Sequence, residues 1–267
     1  MARATKRSGV KRAGLATGSA ADFIPPNPTM AKLRAASRGC RGCHLWRVGT
    51  QTVFGEGPSP GRVMIVGEQP GDQEDRAGHP FVGPSGKLLD RALEEAGIER
   101  DDVYVTNAVK HFKWERGQKG ARRIHKKPND TEIRACHPWL AAELDLVRPA
   151  VVVCLGATAA QSLMGKSFRV TKERGKVLAA PFGGNVIATV HPSSVLRAPD
   201  ATARAEAERA FLADLKNVGR FLARGTGRRV VGERPVARSA EPETGTATRR
   251  RALVPRAARR GARTTSD

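Results

Sequence analysis

Val63-Met64-Ile65-Val66-Gly67-Glu68-Gln69-Pro70-Gly71 joins a short apolar run to a tight, glycine-rich turn. A run that is apolar at every position and bounded by turn formers reads as a parallel strand buried on both faces. Gly67, Pro70 and Gly71 then turn the chain sharply at the carboxyl end of that strand. In open α/β sheets ligands bind at that end of the strands. Glycines there let backbone N–H groups approach a substrate, and Glu68 places a carboxylate at the strand tip. Alone, such a turn is equally a plain loop or a generic phosphate cradle. Its meaning depends on what converges with it.

Working outward, the same strand-then-turn pattern recurs. Val103-Tyr104-Val105-Thr106 delivers Asn107, Val151-Val152-Val153-Cys154-Leu155 leads to Gly156, and Val186-Ile187-Ala188-Thr189-Val190 delivers His191-Pro192-Ser193-Ser194. Between these runs lie helical patterns. Leu88, Leu89, Ala92, Leu93 and Ala96 follow helical spacing after a Ser85 cap and stop at Gly97. Asp130 opens a helix to about Val147, a short helix follows Gly156 through Leu163, and an amphipathic helix spans residues 201–223. A short helix at Ala31 to Ser37 precedes a loop or hairpin over residues 44–60. Asp72 to Gly83 reads as a polar loop carrying Phe81, and His111 to Pro128 as a long basic loop. Loops of that length inside a domain are usually functional or disordered. The alternation predicts a three-layer α/β/α domain around a mainly parallel four-stranded sheet. On that topology Glu68, Asn107 and His191 share one sheet edge and one pocket.

Length and charge bound the rest. With 267 residues the chain holds one domain, expected over residues 30–224, between a basic arm at 1–29 and an Arg-rich tail at 225–267, both disordered. Lys and Arg number 47 against 26 Asp and Glu, a net charge of +21 that favours a polyanionic partner, nucleic acid first. Residues 220–267 hold 13 Arg against 4 acidic residues, so most of the excess lies outside the tail. No run of about 20 apolar residues is present to span a membrane. The basic N-terminus lacks the apolar segment of a secretory signal, and a cytosolic protein is expected.

Four cysteines in such a protein point to metal or catalysis rather than disulfides. Cys40 and Cys43 form a CxxC pair, followed by Cys136 and Cys154. Four thiolates suit a 4Fe–4S cluster or a zinc ion, and the spacing does not separate the two. Cys154 alone, inside an apolar strand, would read as a core residue.

Five elements in order resemble the family 4 uracil-DNA glycosylases, most closely their UdgX branch. They are GEQPG at 67–71, GHPFVGPSG at 78–86, VTNAVKHF at 105–112, HPSS at 191–194 and the four cysteines. The resemblance covers residues 30–224 and implies a 4Fe–4S cluster on Cys40, Cys43, Cys136 and Cys154. It also implies uracil-containing DNA as partner, single-stranded by preference, bound by a monomer. The branch-specific element is the basic loop Ala121-Arg122-Arg123-Ile124-His125, where Ala121 stands in place of the branch's usual Lys; Lys119, Lys126 and Lys127 could compensate.

A glycosylase takes the base out of the stack and cuts its glycosidic bond. An Asn amide can donate to uracil O4 and accept from N3–H, which suits Asn107, although a single Asn is as readily a turn residue. The resemblance implies that Phe81 stacks on the flipped base and that His191 donates to O2 of the leaving anion, an oxyanion-hole role. Gln69 belongs to the substrate-binding set and stands where related glycosylases carry an Asp that positions or activates water; a glutamine is no general base. Something else must then capture the sugar cation. Neutral imidazole is a nucleophile near pH 7, and the resemblance implies that His125 attacks the anomeric carbon and traps the DNA covalently, with Glu68 orienting or deprotonating it. Arg122, Arg123, Lys126 and Lys127 fit phosphate contacts. The alternatives are a conventional family 4 glycosylase that turns over and a non-catalytic iron–sulfur nucleic-acid-binding module.

Overall fold

The computed structural model describes residues 18–117 and 122–224. The first part of the expected arm, Lys119 and Ala121 of the basic loop, and the Arg-rich tail lie outside the described residues. Residues 18–29, assigned by sequence to the arm, carry a 3-10 turn at Ala20–Phe23 capped by Ser19, with Ala20 buried.

In chain order the elements are α1 (Met30–Ser37), β1 (Val63–Gly67), α2 (Asp72–Ala77), α3 (Pro84–Glu95), β2 (Val103–Asn107), β3 (Trp114–Arg116), β4 (Arg123–His125), α4 (Asp130–Val147), β5 (Val151–Leu155), α5 (Ala157–Met164), α6 (Val170–Glu173), β6 (Val177–Ala179), β7 (Asn185–Thr189), α7 (Pro192–Leu196) and α8 (Ala201–Arg224). The main sheet runs β2-β1-β5-β7-β6. Its first four strands are parallel, and β6 closes one edge antiparallel to β7. The three-layer fold expected from sequence is present, with a mixed sheet of five strands where four were expected. The added strand is three residues long and partly exposed, too short to give a strand signature.

Alternation along the strands makes the layers. Val63 and Ile65 of β1 face a core built with Leu89 and Leu93 of α3 and Phe211, Leu215 and Val218 of α8. Met64 and Val66 face the opposite core, with Leu140 and Val147 of α4 and Ala159 and Ala160 of α5. A third cluster packs the N-terminal segment on α4 through Leu33, Leu45, Phe54 and Trp139. Helix α4 is set by a capping box, in which the Asn129 side chain accepts from Glu132 N while the Glu132 side chain accepts from Asn129 N.

The cysteines correct the expectation of an iron–sulfur or zinc centre on Cys40, Cys43, Cys136 and Cys154. Among the described residues, no group of three or more His, Cys, Asp or Glu side chains is placed to hold a metal ion. Cys154 belongs to the core of Met64, Val66 and Ala188, whereas Cys40, Cys43 and Cys136 belong to the third cluster. Burial alone pushes the Cys154 thiol up to about 12. Burial is also the leading cause that takes Cys136 to about 12, so both are neutral thiols near pH 7. Local N–H groups meet the sulfurs: Lys110 N donates to Cys136 Sγ at 3.2 Å and Trp139 Nε1 to Cys40 Sγ at 3.3 Å. All four are free and buried, and they pack as small core side chains.

Candidate active site

Strand order places the site. The chain passes from β1 outward to β2, then returns to the other side of β1 as β5. That reversal opens a crevice at the carboxyl ends of β1 and β5, where ligands of doubly wound sheets bind. A cavity of about 750 Å³ lies there, lined by Glu68, Gln69, Phe81, Asn107, His125 and His191 among others. The convergence expected from sequence at Glu68, Asn107 and His191 is therefore present in space, and Phe81 and His125 join it.

Gly67 keeps the slot open. A methyl at this position would collide with Asn107 Oδ1 and lie 2.9 Å from Phe81 Cζ. Asn107 is 3 % exposed, and its backbone carbonyl accepts from the buried Lys110 ammonium at 2.8 Å. Phe81 holds a left-handed backbone, φ 58°, which is costly for a bulky residue. Two features accommodate it. Gly86 has no side chain to run into the Phe81 carbonyl, and Glu74 Oε1 accepts from Gly83 N at 2.7 Å. The Phe81 ring lies 6.4 Å from the His191 ring at an interplanar angle of 26°.

His191 caps the short helix α7: its Nδ1 accepts from Ser193 N at 3.1 Å. With Nδ1 fixed as acceptor, the neutral ring carries its proton on Nε2. Burial, then the Arg197 charge and His125, lower its pKa to about 4. The side chain is thus a neutral N–H donor at pH 7, suited to a developing oxyanion.

His125 ends β4, with its Nε2 3.6 Å from Glu68 Oε1. Burial lowers its pKa, Glu68 opposes that shift and Arg197 adds to it, so the ring is neutral near pH 7. The loop that carries it is better ordered than the sequence suggests: β3 and β4 form a two-stranded antiparallel hairpin pairing Trp114 with His125. Gln69 fastens its base. The Gln69 amide donates to Lys113 O at 3.2 Å and Lys126 O at 3.0 Å, and accepts from Lys113 N at 3.1 Å. Both ends of this amide are thereby engaged, and it is 6 % exposed.

The basic residues divide. Arg123 was expected to meet phosphate, but its side chain is 11 % exposed and its guanidinium is held by Asp72, by Asp75 at 2.6 Å and by Thr50 at 3.0 Å, over the rings of Phe112 and Trp114. That arginine clamps the hairpin to α2, an element the sequence left as loop. Lys126 pairs with Glu115 at 2.9 Å. Arg122 and Lys127 are exposed on the rim of the cavity. Sequence reasoning missed Thr158 and Arg197, which line the same cavity. The Thr158 hydroxyl donates to Glu68 Oε2, a contact between residues 90 positions apart that no local pattern announces.

His111 lies outside the pocket, buried and bonded to Thr52 Oγ1 at 3.1 Å, with burial lowering its pKa to about 4. The unfolded chain takes up this proton near pH 6.5 and the folded chain only near 4. Stability is therefore complete above pH 6.5 and falls as pH drops through that window, by up to about 3 kcal/mol from this group. Urea midpoints measured between pH 7 and 4 should decline, and His111→Gln should flatten that decline.

Among the described residues no helix is long and apolar enough to cross a membrane. Residues 54–216 match the model of the uracil DNA glycosylase superfamily. The chain is 38 % identical over 184 residues to a type-4 uracil-DNA glycosylase of Thermotoga maritima, covering 68 % of this chain and 89 % of that one. It is 36 % identical over 180 residues to a type-4 uracil-DNA glycosylase of Sulfurisphaera tokodaii, covering 64 % and 78 %. A type-5 uracil-DNA glycosylase of Pyrobaculum aerophilum matches at 30 % over 184 residues, 62 % and 76 %. A match of this extent, on a fold whose crevice gathers these side chains, makes the chain a member of the uracil DNA glycosylase superfamily, like its type-4 members.

Proposed function

We propose that this protein binds uracil-containing DNA, single-stranded by preference and as a monomer, flips the uracil into the Phe81–Asn107–His191 pocket, cuts its N-glycosidic bond and releases it with turnover. The observation that carries the reading is the meeting of these three side chains with Glu68 in one cavity at the sheet's switch point. Asn107 has the donor and acceptor that match O4 and N3–H of uracil, and cytosine presents the reverse pattern there. As the bond breaks, negative charge moves onto the uracil and the sugar becomes oxocarbenium-like. The neutral Nε2–H of His191 would donate to O2 and stabilise the departing anion, while the Glu68 carboxylate would stabilise the sugar cation and direct water to it. Arg122 and Lys127 on the rim suit backbone phosphates. Base excision is supported by the similarity to type-4 uracil-DNA glycosylases.

A second reading has its own observation. His125 Nε2 stands 3.6 Å from Glu68 Oε1 on the wall of the same cavity, while Gln69 is engaged by the hairpin backbone. A neutral imidazole so placed could add to the sugar cation and leave a covalent link, the outcome of the UdgX branch.

A labelled single-stranded oligonucleotide with one uracil tests the reading, analysed on a denaturing gel before and after alkali. Strand cleavage after alkali in molar excess over protein is the expected result. A heat-stable shifted band, lost in His125→Ser, would replace turnover by covalent capture. The absence of both signals would overturn the proposed glycosylase activity.

A further inference from the structure

The two oxygens of Glu68 have different surroundings. Oε2 accepts a hydrogen bond from the Thr158 hydroxyl, whereas Oε1 faces His125 Nε2 at 3.6 Å, beyond hydrogen-bond length. Thr158 is 3 % exposed and Glu68 22 %, and both line the cavity together with His125. A threonine near a helix start commonly bonds its own backbone. This hydroxyl instead reaches from α5 across to the tip of β1.

We infer that Thr158 is a positioning residue: it holds Glu68 Oε2 so that Oε1 alone is presented to the reacting sugar. This rests on the role given to Glu68 in the proposed function. The turn that carries the threonine is bonded to the neighbouring strand and into its own helix. Gly156 N donates to Thr189 O at 2.8 Å, Ala160 N donates to Gly156 O at 3.1 Å, and Gly156 takes φ 89°, which a side chain would disfavour. Gly156 also lies against His191, where an added Cβ would meet the histidine Cβ at 3.3 Å. One turn after β5 thus spaces the group at the sugar from the group at the leaving base. The hydrogen bond to Glu68 selects one direction of the Thr158 hydroxyl before substrate arrives. Its bond to the carboxylate removes the rotamer freedom an unclamped glutamate would have. The clamp leaves the uracil contacts of Asn107 and Phe81 untouched, so it should act on the chemical step and not on binding.

The test compares wild type, Thr158→Val and Thr158→Ser in the full chain. Three quantities are read: single-turnover uracil release from a single-stranded oligonucleotide, affinity for the same oligonucleotide with a non-cleavable 2′-fluoro uridine, and thermal midpoint. Thr158→Val should slow release by about 10- to 100-fold, the worth of one hydrogen bond to a charged group, with affinity within about twofold of wild type. Thr158→Ser should restore most of the rate. Release by Thr158→Val at the wild-type rate, or a Thr158→Ser variant as slow as Thr158→Val, overturns the positioning role while wild-type activity leaves the proposed function standing. A loss of affinity and midpoint in step with the rate would also overturn it, in favour of a purely structural threonine. Absence of uracil release from the wild type would instead bring down the proposed function.

Discussion

Gly67→Ala is expected to reduce uracil excision by at least about a hundredfold while the protein stays folded, since misplacing reacting groups by about 1 Å costs that much. The alanine methyl would displace Asn107 Oδ1 and press on Phe81 Cζ, the two side chains that would hold the base. Gly67 ends β1 without a left-handed backbone, so alanine is allowed there and the effect is steric alone. Phe81 has little room to yield, because its strained backbone is fixed between Gly86 and the loop anchored by Glu74. Overpacking of this kind costs about 1–3 kcal/mol, which a two-hundred-residue domain normally survives. Single-turnover release with a parallel thermal melt checks it; a rate near wild type would mean that the base does not enter between Asn107 and Phe81.

The second large effect concerns stability. Lys110 and Glu143 form an ion pair at 2.5 Å with side-chain exposures of 1 % and 0 %. The pair is well satisfied: Lys110 Nζ also donates to Thr106 Oγ1 at 2.6 Å and Asn107 O at 2.8 Å, while Glu143 accepts from Tyr104 OH at 3.0 Å and Gly55 N at 3.1 Å. Burial, followed by the adjacent Glu143, pushes the Tyr104 hydroxyl far above its usual range, so it stays a donor. Removing one charge strands the other in the core. Glu143→Ala or Lys110→Met should each destabilise the fold by about 3–5 kcal/mol, lowering the thermal midpoint by about 6–20 °C. The double variant Lys110→Met/Glu143→Leu should cost clearly less than the two singles added, because no unpaired charge remains. Additive losses would show that the two charges do not depend on each other.

These residues also mark what the sequence makes legible. Strands β1, β2, β5 and β7 are continuous apolar runs because helices cover both faces of the sheet, and their ends carry the polar side chains that meet in the cavity. Helices α3, α4 and α8 are equally readable from their spaced apolar residues, although α3 starts at Pro84 after Gly83 and not at a Ser85 cap, and α4 is capped by Asn129 and not by Asp130. What escapes is whatever depends on contacts distant in the chain. The basic loop reads as irregular because its order comes from Gln69 and from Asp72 and Asp75, more than 40 residues earlier. Arg123 looks like a phosphate ligand for the same reason: charge is visible in sequence, and the carboxylates that neutralise it are not. The cysteines mislead differently. A CxxC pair and four thiols suggest a metal site, but spacing does not show that Cys154 faces a core different from that of the other three.

The central claim, base excision in the Phe81–Asn107–His191 cavity, is tested most directly by counting free uracil. Protein is mixed with excess single-stranded oligonucleotide carrying one uracil, or with its thymine twin, and the released base is quantified against protein. The account predicts several equivalents of uracil per protein molecule and no thymine. No uracil released above the protein-free control would contradict it.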